Sequence, residues 1–129
     1  MKPTRKKLLI VDCHGDVLVV LERLFEDAGF DTTTAWTAQE ALNQVGSSRF
    51  DLVLLNEHLP DARCEDLLHV LRKRANDTPC VVMQSSGRET DARFERLGAK
   101  GIICKRCFQQ LVERVRKFLL CEQKQITAA

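Results

Sequence analysis

The stretch Asp51-Leu52-Val53-Leu54-Leu55-Asn56 decides the fold of this chain. Four consecutive apolar residues, Leu52 to Leu55, are typical of a strand buried on both faces in the middle of a parallel sheet. The run ends on the polar residue Asn56, and Glu57-His58-Leu59-Pro60-Asp61 follows. Since α/β sheets carry their ligand sites beyond the carboxyl ends of their strands, Asn56 marks the expected position of a site.

Four further segments are predicted to be strands of the same sheet. Three of them are short and apolar, whereas the segment 31–35 is β-prone but polar, which favours an edge strand. These four segments are Leu8–Val11, Asp31–Ala35, Cys80–Met83 and Gly101–Cys104.

Amphipathic segments lie between and after the strands, with apolar residues at helical spacing. Thr37, followed by Glu40 three residues later, forms a capping box at the start of the second helix, which ends at Gly46. The other predicted helices run from about Asp16 to Ala28, Cys64 to Arg74, Thr90 to Leu97 and Phe108 to Leu120.

Strands that alternate with helices predict an α/β fold: a doubly wound, five-stranded parallel sheet in a flavodoxin-like three-layer sandwich. Right-handed crossovers and the edge character of the second strand favour the order 2-1-3-4-5. That order opens a cleft beyond strands 1 and 3. Asp12 and Cys13 follow strand 1, Asn56 ends strand 3, and Lys105 follows strand 5 at the same edge.

Composition predicts a single cytoplasmic domain. The chain has 129 residues and a net charge of +2 from 20 basic and 18 acidic residues, so we expect no direct nucleic-acid binding. The basic residues gather in three short clusters, which we interpret as solvated helix faces and a flexible N-terminus. No apolar run is long enough for a membrane span, and polar residues interrupt the one run that resembles an export signal. We expect a flexible basic N-terminus at 1–6, the folded domain at 7–120, and a polar tail at 121–129.

Several short motifs together resemble the receiver domain of two-component response regulators, over about Lys7 to Leu120. Their order and spacing carry the resemblance, which implies a signalling module and not an enzyme. In this family a histidine kinase donates phosphate to an aspartate, acidic residues hold Mg²⁺, and a lysine contacts the phosphoryl oxygens. The motifs are Ile10-Val11-Asp12, Ala38-Gln39-Glu40-Ala41-Leu42, Asp51-Leu52-Val53-Leu54-Leu55, Leu59-Pro60, Gly98-Ala99-Lys100 and Lys105.

Carried over residue by residue, the resemblance implies a degenerate site. Asn56 stands at the phosphoacceptor position, Asp12 matches the first acid of the usual pair, and Cys13 replaces the second. Lys105 is retained. Because one carboxylate with an amide and a thiol is a poor magnesium site, we expect Mg²⁺ to bind weakly or not at all, and no other cofactor. Asp12 is then expected to pair directly with Lys105.

The residues that switch conformation in the family are also replaced. In the family, a Thr or Ser hydroxyl and an aromatic side chain change position together. Here Gln84 stands where the hydroxyl residue is expected, although a one-residue shift would place Ser85 there. Ile102 stands where the aromatic residue is expected. We expect Ile102 to stay packed and the amide of Gln84 to bond Asn56 or a loop backbone group. Arg106 replaces the proline after the lysine, and Cys64 replaces a loop glycine.

These substitutions predict a stand-alone, unphosphorylated receiver that acts through protein–protein contacts. The resemblance implies docking of a histidine kinase, an effector such as a DNA-binding protein, or a second copy, on the fourth helix, fifth strand and fifth helix, around Thr90–Leu97 and Ile102–Leu119. Two alternatives stay open. One is a true phosphorelay receiver with another acceptor, Asp12, Glu57 or Asp61; the other is a redox or metal sensor built from Cys13, Cys104 and Cys107.

Overall fold

The computed structural model describes residues 5–75, 77–84, 92–105 and 108–127. Five strands alternate with five helices along this part of the chain. The strands are β1 (Lys7–Val11), β2 (Asp31–Ala35), β3 (Leu52–Asn56), β4 (Cys80–Gln84) and β5 (Gly101–Cys104). The helices are α1 (Gly15–Asp27), α2 (Ala38–Ser47), α3 (Cys64–Arg74), α4 (Ala92–Arg96) and α5 (Phe108–Thr127).

All paired strands are parallel and form one sheet in the order β2-β1-β3-β4-β5, which confirms the predicted fold. The register brings the carboxyl ends of the strands level. Val11 lies opposite Leu55, Asn56 lies opposite Met83, and Gln84 lies opposite Cys104. The residues that follow β1 and β5 therefore meet Asn56 at one edge of the sheet.

The core lies in two layers, one on each face of the sheet. Because successive side chains of a strand point to opposite faces, Leu9 and Val11 pack in the layer that contains α2 and α3, whereas Leu8 and Ile10 pack in the layer with α1 and α5. All five residues of β3 are buried, as the apolar run predicts. This sandwich fixes the strand ends on which the site is built.

The start of α2 shows the predicted capping box in a modified form. The Thr37 hydroxyl accepts a hydrogen bond from the Glu40 amide at 3.1 Å. The Glu40 carboxylate reaches back to the amide of Trp36 at 2.7 Å, one residue before the cap. The ring of Trp36 lies against Gly15, where an added Cβ would come within 2.5 Å of it, so this glycine allows the close approach.

Two helix boundaries differ from those expected. The prediction that α5 ends near Leu120 is wrong, since the helix continues to Thr127. The segment after Leu120 contains Glu, Gln and Lys and no Gly or Pro, so it carries good helix formers and no stop signal. Helix α4 spans Ala92–Arg96, and the predicted start at Thr90 lies outside the described residues. None of the described helices combines the length and the apolar character that crossing a bilayer requires.

Candidate functional site

Lys105 joins two polar side chains at the carboxyl edge of the sheet. Its Nζ lies 2.5 Å from Oδ2 of Asp12 and donates a hydrogen bond to Oδ1 of Asn56 at 3.2 Å. Asp12 is fully buried and Asn56 is 4% exposed. The predicted pair between Asp12 and Lys105 is thus confirmed, and it neutralises a carboxylate that has left water.

The backbone positions this lysine directly after β5. The Lys105 amide donates to the carbonyl of Gln84 at 2.7 Å, which continues the β4–β5 ladder by one residue. On the other side, the Asp12 amide donates to Ala35 at 3.0 Å and extends the pairing of β1 with β2. Both charged residues are therefore held by sheet hydrogen bonds and not by a free loop.

The Asn56 amide has a defined orientation. Its Nδ2 donates to the carbonyl of His58 at 2.8 Å while its Oδ1 accepts from Lys105. Rotating the amide by half a turn would place a carbonyl beside a carbonyl and an NH₂ beside an ammonium, so the hydrogen bonds allow only this arrangement. Both functions of the amide are used within the site.

Cys13 and His14 lie on the solvent side of Asp12. The His14 amide and its ring Nδ1 each lie 3.0 Å from Oδ1 of Asp12. The Cys13 sulfur is 3.7 Å from the same ring nitrogen and 3.7 Å from the carbonyl of His58. The two oxygens of Asp12 therefore face different partners: Oδ2 faces Lys105 and Oδ1 faces His14.

The side chain of Gln84 reaches a carboxylate of the loop after β3, whereas the expectation was Asn56 or a loop backbone group. Gln84 is 1% exposed, and its Nε2 donates to Oε2 of Glu57 at 2.8 Å. Glu57 also contacts His58 at 3.2 Å and Arg93 at 3.7 Å, so it links the loop after β3 to α4. The longer amide of glutamine passes the edge of the sheet and reaches this loop carboxylate. Ile102 is 2% exposed and packed in the core as expected, whereas Ser85 lies outside the described residues.

Among the described cysteines, Cys64 and Cys80 are buried thiols in the core layer that contains α2 and α3. Burial raises the pKa of each thiol to about 12, so both stay protonated and unreactive at neutral pH. Cys64 is the first residue of α3. Cys104 is half-buried at the end of β5, and Cys107, the other cysteine of its C-x-x-C, lies outside the described residues.

Asp61 binds the start of α2. Its two carboxylate oxygens accept hydrogen bonds from the amides of Ala38 at 2.8 Å and Gln39 at 3.0 Å. The bond from Ala38, with that from Gln39, holds the pKa of Asp61 below its ordinary value of 3.8. This carboxylate, one of the predicted alternative acceptors, is engaged in holding the loop after β3 onto α2.

We expect Asp61→Asn to cost about 0.5 kcal/mol near pH 7, a small loss because the group is exposed and screened. A carboxyl with a lowered pKa in the folded state stabilises the fold above its unfolded pKa and loses that contribution as the pH falls through its folded pKa. The difference between wild type and variant should therefore shrink below about pH 4. Urea unfolding across this range measures it, and a difference that stays constant down to about pH 3 would contradict the assignment.

The model of the response regulator receiver domain family matches residues 8–116. The chain belongs to that family. The receiver is also similar to the transcriptional regulatory protein PrrA of Mycobacterium tuberculosis, with 31% identity over 118 residues, which cover 90% of this chain and 51% of PrrA. The chain thus spans about half the length of the curated relatives it matches.

Solved receiver structures share the fold. A CheY-like receiver domain protein from Methanospirillum hungatei superposes with a TM-score of 0.86 at 24% identity and covers 95% of this chain and 99% of that one. A putative response regulator from Chloroflexus aurantiacus gives a TM-score of 0.83 at 26% identity and covers 91% and 99% of the two chains. These structures show the receiver fold, and the family match shows a receiver domain of two-component signalling.

Sequence reasoning missed two contacts of the receiver's site. It did not predict that the His14 amide donates to Asp12. The signal was available, because an aspartate side chain often accepts a hydrogen bond from the backbone amide two residues later, in an Asx turn. Sequence reasoning also did not predict that Glu57 is a partner of Gln84, because the reach of a glutamine across the edge of the sheet depends on the path of the loop after β3.

Proposed function

We propose that this receiver domain does not accept a phosphoryl group at the usual site and signals through protein–protein contacts. The observation that carries the proposal is the position of Lys105, which is bound to Asp12 and Asn56 and not held ready for an incoming anion. Within the site, the ion pair between Lys105 and Asp12 balances the two charges, and both ends of the Asn56 amide are hydrogen-bonded.

The chemistry of Asn56 supports the proposal. Phosphoryl transfer to the usual acceptor needs a carboxylate that attacks phosphorus, and a neutral amide oxygen is a poor nucleophile. The Asn56 oxygen also accepts from Lys105, and its nitrogen donates to His58. The side chain acts as a hydrogen-bonding spacer between the lysine and the loop after β3.

The residues around Asp12 do not fit the magnesium ion of the family. Mg²⁺ requires near-octahedral oxygen ligands, usually including carboxylates. Here Oδ2 of Asp12 is paired with Lys105, Oδ1 is bonded by His14, and Cys13 offers sulfur. Losing the acceptor and the metal together removes both the nucleophile and the charge neutralisation that phosphoryl transfer needs.

The alternative acceptors have other bonding partners, which also supports the proposal. Asp12 is buried against Lys105, Glu57 bonds Gln84, and Asp61 bonds the first amides of α2. Each carboxylate would have to give up these bonds before it could react. An in-line attack from any of them would thus begin with local rearrangement.

The output surface we propose is the face formed by α4, β5 and α5. Ile102 is buried at 2% exposure, and its carbonyl accepts from Arg114 of α5 at 3.3 Å, so β5 and α5 are tied together. A β-branched residue packed in this way has little rotamer freedom. We infer that the domain rests in one conformation in the cytoplasm, where it binds a histidine kinase, an effector or a second copy according to concentration.

We expect beryllofluoride with Mg²⁺ to leave the amide spectrum of this face unshifted, because the mimic needs the acceptor carboxylate and the metal. Two-dimensional amide NMR of the ¹⁵N-labelled protein measures this directly. A receiver with a complete acidic site in the same buffer serves as the control for the reagent. Widespread shifts across α4, β5 and α5 would mean that the phosphate switch survives.

A further inference from the structure

The substitutions that spoil the magnesium site bring a different set of metal ligands together. Asp12, Cys13 and His14 are consecutive, and one ligand atom from each lies within 4.8 Å of the other two. We propose that these three residues form a binding site for a borderline-soft divalent cation of the zinc class. A carboxylate, a thiolate and an imidazole are the protein ligands that Zn²⁺ takes, whereas Mg²⁺ takes only oxygen in such sites.

Two of the three distances between the ligand atoms are close to those around a tetrahedral ion, and all three atoms lie within 4.8 Å of one another. Zinc bonds of about 2.3 Å to sulfur and about 2.0 Å to nitrogen place a thiolate and an imidazole roughly 3.6 Å apart. The Cys13 sulfur lies 3.7 Å from Nδ1 of His14, and that nitrogen lies 3.0 Å from Oδ1 of Asp12. An ion between the three atoms replaces the histidine–aspartate hydrogen bond and requires only a small opening of that contact.

The loop is already ordered for such an ion. The His14 amide donates to the same Oδ1 at 3.0 Å, which holds the three-residue turn closed, and Asp12 is anchored by the buried pair with Lys105. A preorganised loop loses less conformational freedom when it binds. This arrangement distinguishes the cluster from three ligands on a mobile segment.

The positive charge of Lys105 does not exclude the ion. Lys105 lies on Oδ2 of Asp12, while the proposed ion takes Oδ1, so each cation has its own oxygen. Once the thiol is deprotonated, the thiolate offsets one of the two charges of the ion, and the Asp12 carboxylate is shared between the ion and Lys105. The His14 side chain is 58% exposed, so solvent reaches the cluster and water can supply the fourth ligand.

The test is zinc binding by untagged, reduced protein. We expect one Zn²⁺ per chain, measured by competition with a chromophoric chelator, and a thiolate-to-metal charge-transfer band when Co²⁺ replaces the colourless zinc. Cys13→Ser and His14→Gln should each lower the zinc affinity by at least about tenfold, since even supporting residues around a metal site cost roughly 10- to 100-fold in affinity when they are removed. Cys13→Ser should also abolish the charge-transfer band.

Two control variants separate this site from other thiols and imidazoles. Cys104→Ser and His69→Gln, the latter on the exposed side of α3, should leave the zinc affinity and the cobalt spectrum unchanged. Binding that survives Cys13→Ser but is lost in Cys104→Ser would overturn the proposal. A failure to bind one zinc ion per chain at zinc concentrations up to about 1 mM would also overturn it. Neither outcome depends on whether the domain is phosphorylated.

Discussion

Replacing Lys105 with methionine should destabilise the domain by about 3 kcal/mol at neutral pH, the scale expected when one member of a buried ion pair is removed. The variant leaves the carboxylate of Asp12 fully buried without the ammonium that lies 2.5 Å from it. It also removes the donor to the oxygen of Asn56. Urea unfolding followed by circular dichroism measures the loss.

The double variant Asp12→Asn, Lys105→Met is the decisive comparison for this pair. It removes both charges, so it should recover much of the stability lost in Lys105→Met. Together with the two single variants it completes a double-mutant cycle, which gives the interaction energy between Asp12 and Lys105. Lys117→Met, at an exposed position of α5, is the matched control and should change stability by less than about 0.5 kcal/mol. A loss below about 1 kcal/mol for Lys105→Met would show that the pair contributes little to the closed site.

Asn56→Asp should cost about 2 kcal/mol in the absence of divalent metal, even though it restores the residue typical of the family. The substitution places an acceptor where Nδ2 now donates to the His58 carbonyl at 2.8 Å. It also adds a second carboxylate to the site that contains buried Asp12. Since two carboxylates bind Mg²⁺ better than one, added magnesium should return part of the lost stability.

Two further variants separate the effect of an added negative charge from the effect of a missing metal ligand. Asn43→Asp, on the exposed side of α2, should change stability by less than about 0.5 kcal/mol. Asn56→Asp alone should accept phosphate poorly, because Cys13 still replaces the second acid, whereas Cys13→Asp added to it should raise labelling by a small phosphodonor. Equal labelling of the single and double variants would show that phosphorylation does not need a second carboxylate at position 13.

The arrangement of the sheet could be predicted because each strand has its own signal. The apolar runs around Leu54 and Val82 identify buried strands, and the polar residues 31–35 identify the edge. Once the order is fixed, parallel pairing places the residues after β1, β3 and β5 together, so the contact between Asp12 and Lys105 followed from topology. Local patterns and the fold agree here.

The contacts made by loop residues could not be predicted in the same way. Whether Gln84 reaches Asn56 or Glu57 depends on the position of a loop backbone. The spacing of apolar residues in the sequence does not predict that position. The same holds for Asp61, whose bonds to Ala38 and Gln39 join segments far apart in the chain. The end of α5 was missed because helix formers continue past Leu120 without a breaker.

The most direct test of the central claim is the intact mass of the protein after incubation with Mg²⁺ and acetyl phosphate. Asn56 has no nucleophilic carboxylate, and Lys105 is engaged with Asp12 and Asn56, so we predict an unchanged mass. A receiver with an intact acidic site must be labelled in the same reaction for the result to count. A stable increase by one phosphoryl group, mapped to any carboxylate of this chain, would contradict the account.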